Sequence, residues 1–95
     1  MSLQIVNVPV SDLKHDPENP RAHDDKNLTS IIASLRDYGQ VEPLVVQKNT
    51  MMVVGGNARL QSMKHLGWVT AACVVLDMPD EKARKLSIAL NRTGE

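Results

Sequence analysis

The chain has 95 residues, 42% of them hydrophobic and 23% charged, with a formal net charge of zero, which fits one globular domain with a modest core. Charge neutrality argues against strong non-specific DNA binding by this segment, and two aromatic residues, Tyr38 and Trp68, are too few for a platform that stacks single-stranded nucleic acid. One cysteine, Cys73, excludes an internal disulfide and a paired-cysteine metal site, no apolar run approaches membrane-spanning length, and no signal-peptide pattern opens the chain, so a cytoplasmic domain without membrane contact is expected.

In chain order, Leu3 to Val10 alternates apolar and polar residues and reads as a strand. Pro9 cannot donate to a ladder, so an edge position is expected. The stretch SDLKHDPENPRAHDD, Ser11 to Asp25, reads as an ordered loop stiffened by proline. Leu28, Ile31, Ile32, Leu35 and Tyr38 then follow the i, i+3, i+4, i+7 rule of a helix. Asp24 or Asp25 can cap its start, and Gly39 can end it in a left-handed turn. EPLVVQK and MMVV, separated by Asn49-Thr50, predict a hairpin.

Gly55-Gly56 leads into a second helix that carries Leu60, Met63 and Leu66 on one face and stops at Gly67. TAACVVLD is a buried strand. Pro79 suits the first turn of a third helix, with Asp80 and Glu81 favouring its N-terminal dipole and Ala83, Leu86 and Leu90 facing inward. The order is β-α-β-β-α-β-α, an α+β or α/β domain in which helices pack on a small sheet. ALNRTGE ends without a closing signal, so residues 1–95 are expected to be one domain cut from a longer protein.

Four constellations are candidates for chemistry. At Gly55-Gly56-Asn57-Ala58-Arg59, a helix N-terminus leaves backbone N–H groups unpaired, glycine admits close approach, and Arg59 in the first turn can grip phosphate. The same glycines can equally serve only a sharp strand-to-helix corner, and a short Gly motif does not separate the two readings. In the loop Asp16 to Asp24, two prolines would hold Asn19 and Arg21 in place, or the segment is an ordinary capped connection. Gln40 and Glu42, after Gly39, either face a pocket or are loop residues. Asn91-Arg92 closes the third helix, where a cation is stabilising in its own right. His23, Asp24 and Asp16 match no standard metal-ligand spacing, and no metal is expected. Cys73, inside a Val-rich strand, reads as a small buried hydrophobe.

Taken together, NVPVSDLKHDPENPR, LTSIIASLRDYGQVEPLVV, MVVGGNARLQSMKHLG and AACVVLDMPDEKARKLSIALN resemble the ParB/sulfiredoxin superfamily, and most closely the ParB-like nuclease domains of phage proteins and of proteins associated with DNA methyltransferases. The proline-rich box of that family is matched by Asp16 to Arg21, its Gly-x-x-Pro-Leu segment is similar to Gly39 to Leu44, and its Gly-Glu-Arg-Arg box falls on Gly56 to Arg59, keeping only the glycine and the last arginine. Asn91 and Arg92 echo a late Glu-Asn-x-x-Arg box.

The resemblance implies a compact ParB/sulfiredoxin-like α+β fold with a small mixed sheet. It also implies a nucleotide- or nucleic-acid-phosphate-binding domain in a DNA-associated process such as partition, phage biology or DNA modification. The implied site is Gly55, Gly56, Asn57 and Arg59, closed by Asn19 and Arg21, with Gln40 beside it. CTP or ATP with magnesium are the candidate cofactors, DNA and nucleotide the candidate partners, and a homodimer a candidate assembly. The alternatives are a DNA nuclease, for which Glu18, Asp24 and Glu42 are the nearby carboxylates, and a protein-interaction module of a DNA-modifying enzyme. Sulfiredoxins carry a cysteine where this chain has Asn57, so sulfinic-acid reduction is not expected.

Overall fold

The computed structural model of the protein describes residues 3–17 and 25–91. Its elements run β1 (Ile5–Pro9), a 3-10 turn (Val10–Asp12), α1 (Asp25–Tyr38), β2 (Leu44–Gln47), β3 (Met52–Gly55), α2 (Asn57–Leu66), β4 (Thr70–Leu76) and α3 (Asp80–Asn91). The order expected from the sequence holds, with the 3-10 turn as an addition. Four strands form one mixed sheet in the order β1-β4-β2-β3. β4 pairs antiparallel with β1 and parallel with β2, and β2 pairs antiparallel with β3. β1 is an edge strand, as Pro9 requires. The register between β2 and β3 slips at Val45/Val46, the mark of a bulge.

Strand alternation divides the apolar residues between two faces. Val8, Val46, Val53, Ala71 and Cys73 join Leu44, Leu35, Leu60 and Met63 in the main core. α1 packs on α2, and α2 lies against β2 and β3. Val54, Val74 and Ala83 are also buried but stand outside that cluster, where α3 runs along β3. Tyr38, assigned by periodicity to the inner face of α1, is 78% exposed because the helix ends there, and the Gly39 N–H bonds the Leu35 carbonyl at 2.9 Å. Pro79 lies one position before α3, and its carbonyl accepts the Ala83 N–H at 3.0 Å. Asp80 and Glu81 occupy the first turn, as expected. Beside Ala83 the inner face of α3 includes a buried serine, Ser87.

The path of α3 positions the rest. Its start is held at the β2–β3 hairpin, where the Gln47 side chain donates to Asp80 Oδ1 at 2.8 Å and to the Met78 carbonyl at 2.9 Å. Its far end reaches Gly55, where a Cβ would stand 2.6 Å from Leu90 Cδ1. The C-terminal end of α3 therefore meets the strand end that opens into α2. The Asn91 side chain and Arg92 lie outside the described residues, as do Glu18, Asn19, Arg21, His23 and Asp24.

Candidate anion site at the mouth of helix α2

β3 delivers the chain to Gly55, and α2 begins two residues later. Gly56 makes the corner in a left-handed conformation, φ 96° and ψ 27°, which L side chains rarely adopt. A Cβ at Gly56 would also fall 2.6 Å from Cδ2 of the fully buried Leu44. The two glycines thus serve different purposes: Gly55 lets α3 approach the strand, and Gly56 supplies the corner.

The mouth of α2 is bare of the usual compensations. Among the described residues no side chain caps it, and its first turn contains no acidic residue, unlike that of α3. A helix start carries unpaired N–H groups and a partial positive charge. A cation there is unfavourable, yet Arg59 occupies the third helical position, and its Nη1 lies 3.7 Å from where a Gly56 Cβ would be. The guanidinium therefore leans back over the mouth of its own helix. A carboxylate from another segment meets it: Glu42 Oε2 accepts from Arg59 Nη2 at 2.9 Å. Two sources of positive potential converge on one place, and this structure meets them with a carboxylate.

Asn57 is buried, and its side chain is committed inside the protein. Its Nδ2 donates to the Val53 carbonyl at 2.9 Å, and its Oδ1 accepts from the Asp16 N–H at 3.0 Å. Asp16 Oδ2 in turn accepts from Ser87 Oγ at 2.7 Å. This chain of bonds fastens the segment that precedes Asn19 and Arg21 to both α2 and α3. Asn57 is thus a positioning residue at the corner. His15, which also bonds Asn57, has its pKa lowered, first by burial and then by the Lys64 charge, against the raising effect of that bond.

Gln40 is likewise engaged with protein. Its Oε1 accepts the Ala72 N–H at 2.8 Å, and its Nε2 donates to the Ala72 carbonyl at 2.8 Å and the Glu42 carbonyl at 3.0 Å. Leu44 of β2 pairs with Cys73, so this side-chain amide continues the ladder by one position where β2 has not yet begun. It ties down the loop that presents Glu42. Of the site residues expected from sequence, the structure gathers Gly55, Gly56, Asn57 and Arg59 at one corner and puts Gln40 one loop away. Glu42, Asp16 and Ser87 complete the arrangement. Asp16 and Ser87 carry no local sequence signal for it, because their contact spans 71 positions.

A groove of about 530 Å³ opens elsewhere, lined by Asp16, Gln47, Thr50, Asp80, Arg84 and Ile88 among others. The Gln47 side chain on its floor is buried and bonded to Asp80, Met78 and Thr50. The groove does not include Gly56 or Arg59. Among the described residues no group of three or more His, Cys, Asp and Glu side chains is arranged to hold a metal ion, and no helix is long and apolar enough to cross a membrane.

A family model described as the ParB N-terminal domain matches residues 1–92. Stage 0 sporulation protein J of Bacillus subtilis is 28% identical over 91 residues, covering 93% of this chain and 32% of the relative. The chain spans about a third of the length of the curated relatives it matches. Among solved structures, the C-terminally truncated chromosome-partitioning protein ParB of Caulobacter crescentus, complexed with CTP-γ-S, superposes with a TM-score of 0.84 at 21% identity, covering 95% of this chain and 53% of that one. Sulfiredoxin from Arabidopsis thaliana superposes with a TM-score of 0.74 at 21% identity, covering 87% and 96%. At such identities these likenesses establish the ParB/sulfiredoxin-type fold.

Proposed function

The chain belongs to the ParB N-terminal domain family, and from that premise we propose that it binds the phosphates of a nucleotide at the mouth of α2, as part of a DNA-associated process of the partition type. Arg59 supplies a charged, bidentate-capable donor, and the first-turn N–H groups supply fixed dipoles. Gly56 supplies the left-handed corner that brings those groups and Arg59 together. Asn57 and Asp16 hold the corner, and Asn19 and Arg21, in the proline-rich stretch that continues from Asp16, are candidates to close the site. The observation that carries this reading is the arginine over an uncapped helix start. Such an arrangement favours negative charge at the start of the helix, and a phosphate brings more of it than the Glu42 carboxylate does.

CTP is the first ligand to test, because a structurally similar ParB was solved with its thio analogue. ATP and magnesium remain candidates in the same test. Gly56, Asn57 and Ala58 are buried, so a ligand meets the corner through Arg59. The reading requires binding and assigns no covalent step. The DNA role is proposed for the whole protein of which such a domain forms a part, as in the chromosome-partitioning relatives.

Thermal melts with CTP, ATP, GTP and short duplex DNA, with and without magnesium, test the proposal on the wild type and on Arg59→Ala. A ligand that binds only the folded state at 100 times its Kd adds about 2.7 kcal/mol of stability. A nucleotide-dependent rise in Tm that disappears in Arg59→Ala is the expected result. No rise with any nucleotide at saturating concentration rejects the reading. Cleavage of DNA by the wild type that is lost in Arg59→Ala would replace it with a nuclease function.

A further inference from the structure

We propose that Glu42 is a competitor built into the anion site: its carboxylate occupies Arg59 until a multiply charged phosphate displaces it. The inference rests on the phosphate-site reading above and adds to it a residue that sets how strongly an anion must bind to occupy the site.

The two halves of the pair are unequally held. The Arg59 side chain is 18% exposed and the Glu42 side chain 67%. Arg59 is lodged between the helix mouth and the Gly56 corner, whereas Glu42 reaches it from solvent. The backbone of Glu42 is fixed independently, because Gln40 Nε2 bonds the Glu42 carbonyl at 3.0 Å while the same amide is anchored on Ala72. Withdrawal of Glu42 from Arg59 therefore needs only a rotation of the Glu42 side chain, with the loop staying in place. The rotated carboxylate is left in water, where it is well solvated.

Charge decides the competition. The carboxylate offers one negative charge and engages Arg59 through one 2.9 Å bond in the contact described above. A terminal phosphate offers more charge and several acceptor oxygens, enough for the guanidinium and the helix N–H groups together. A singly charged ion such as chloride or acetate gains little over Glu42 and is kept out. Glu42 thus lowers the affinity of every anion by the cost of its own displacement, and only ligands with enough charge and enough acceptor oxygens to exceed that cost bind measurably. Because Glu42 is open to solvent, the effect on phosphate binding is about two- to fivefold and shrinks as salt rises.

The test is calorimetric titration of CTP and of inorganic triphosphate into wild type, Glu42→Gln, Arg59→Ala and the double variant, at low and at moderate salt. Far-ultraviolet circular dichroism melts establish that each variant is folded. Glu42→Gln keeps the volume and removes the charge. It is expected to tighten both ligands about two- to fivefold, more at low salt, and to gain measurable affinity for acetate. The gain should vanish in the double variant, which should match Arg59→Ala. Unchanged or weaker binding by Glu42→Gln, alongside wild-type binding that needs Arg59, overturns the competitor role and leaves the phosphate site standing. Absence of binding by both wild type and Glu42→Gln overturns the two together.

Discussion

Gly56→Ala should be among the most damaging single substitutions at the corner, and its cost can be worked from two separate causes. Gly56 has φ 96°, so alanine there bears the left-handed penalty of about 1–2 kcal/mol. The new Cβ would also lie 2.6 Å from Leu44 Cδ2. Leu44 is fully buried and surrounded by core, so it has no free space to swing into, and overpacking of this kind adds about 1–3 kcal/mol. The sum, about 2–5 kcal/mol, is a large share of the roughly 5–15 kcal/mol that holds a small domain folded. Gly39 is the internal control. It also has a positive φ, 74°, but a Cβ there would meet nothing within 4 Å, so Gly39→Ala should cost only the conformational part. Gly55→Ala is the second control: it needs no left-handed backbone, and the atom in its way is the end of the Leu90 side chain. Urea denaturation of the three variants reads the difference directly, as a fall in midpoint at constant m value. The expected order of damage is Gly56 well beyond Gly39, with Gly55 relieved by a change of Leu90 rotamer. Equal losses at Gly56 and Gly39 would refute the argument that Leu44 blocks the corner.

Three further outcomes follow from the same geometry. Asn57→Ala removes buried partners from the Val53 carbonyl and the Asp16 N–H and should cost about 1–3 kcal/mol in urea melts; a neutral effect would mean that water replaces both bonds. His15 has a folded pKa below its ordinary value of 6.5, so the unfolded chain takes up the proton more readily. Its contribution to stability is present above about pH 6.5 and is lost as pH falls through that value toward the folded pKa. His15→Gln should flatten the urea midpoint between pH 7.5 and pH 5, and an unaltered slope would assign the pH dependence to other groups. Cys73 is fully buried, and burial raises its thiol pKa, so Ellman's reagent should label it only on the timescale of unfolding. Rapid labelling in native buffer would show that the β4 core opens locally.

Much of the fold was legible because it depends on short-range pattern. The inner face of α1, the hairpin around Asn49-Thr50, the edge position of β1 and the acidic start of α3 all follow from spacing, proline chemistry and helix dipoles. Tyr38 departs from its periodic assignment because the helix ends at that residue, and periodicity does not locate a last turn. The candidate site was legible as a place more than as a mechanism. Gly-Gly before a helix pointed to the corner, but only the path of α3 against Gly55 separates the purposes of the two glycines. Asn57 and Gln40 read in sequence as polar groups available to a ligand. In the structure their amides meet backbone groups of Val53, Asp16, Ala72 and Glu42, partners set by sheet order and loop path. Glu42 read as a residue facing a pocket, a loop residue or a nuclease carboxylate, and its contact with Arg59 depends on β2 running beside the start of α2. The Asp16–Ser87 bond joins the loop after β1 to the inner face of α3, a contact that no local pattern encodes.

The most direct measurement of the central claim is a residue-resolved one: nitrogen-15 NMR spectra of the domain titrated with CTP and magnesium. The largest shifts should fall on the amides of Gly56, Asn57, Ala58 and Arg59, saturate with nucleotide, and move the Arg59 side-chain Nε resonance with them as Glu42 is displaced. Shifts concentrated instead around Gln47, Asp80 and Arg84, or no saturable shift at the start of α2, would contradict it.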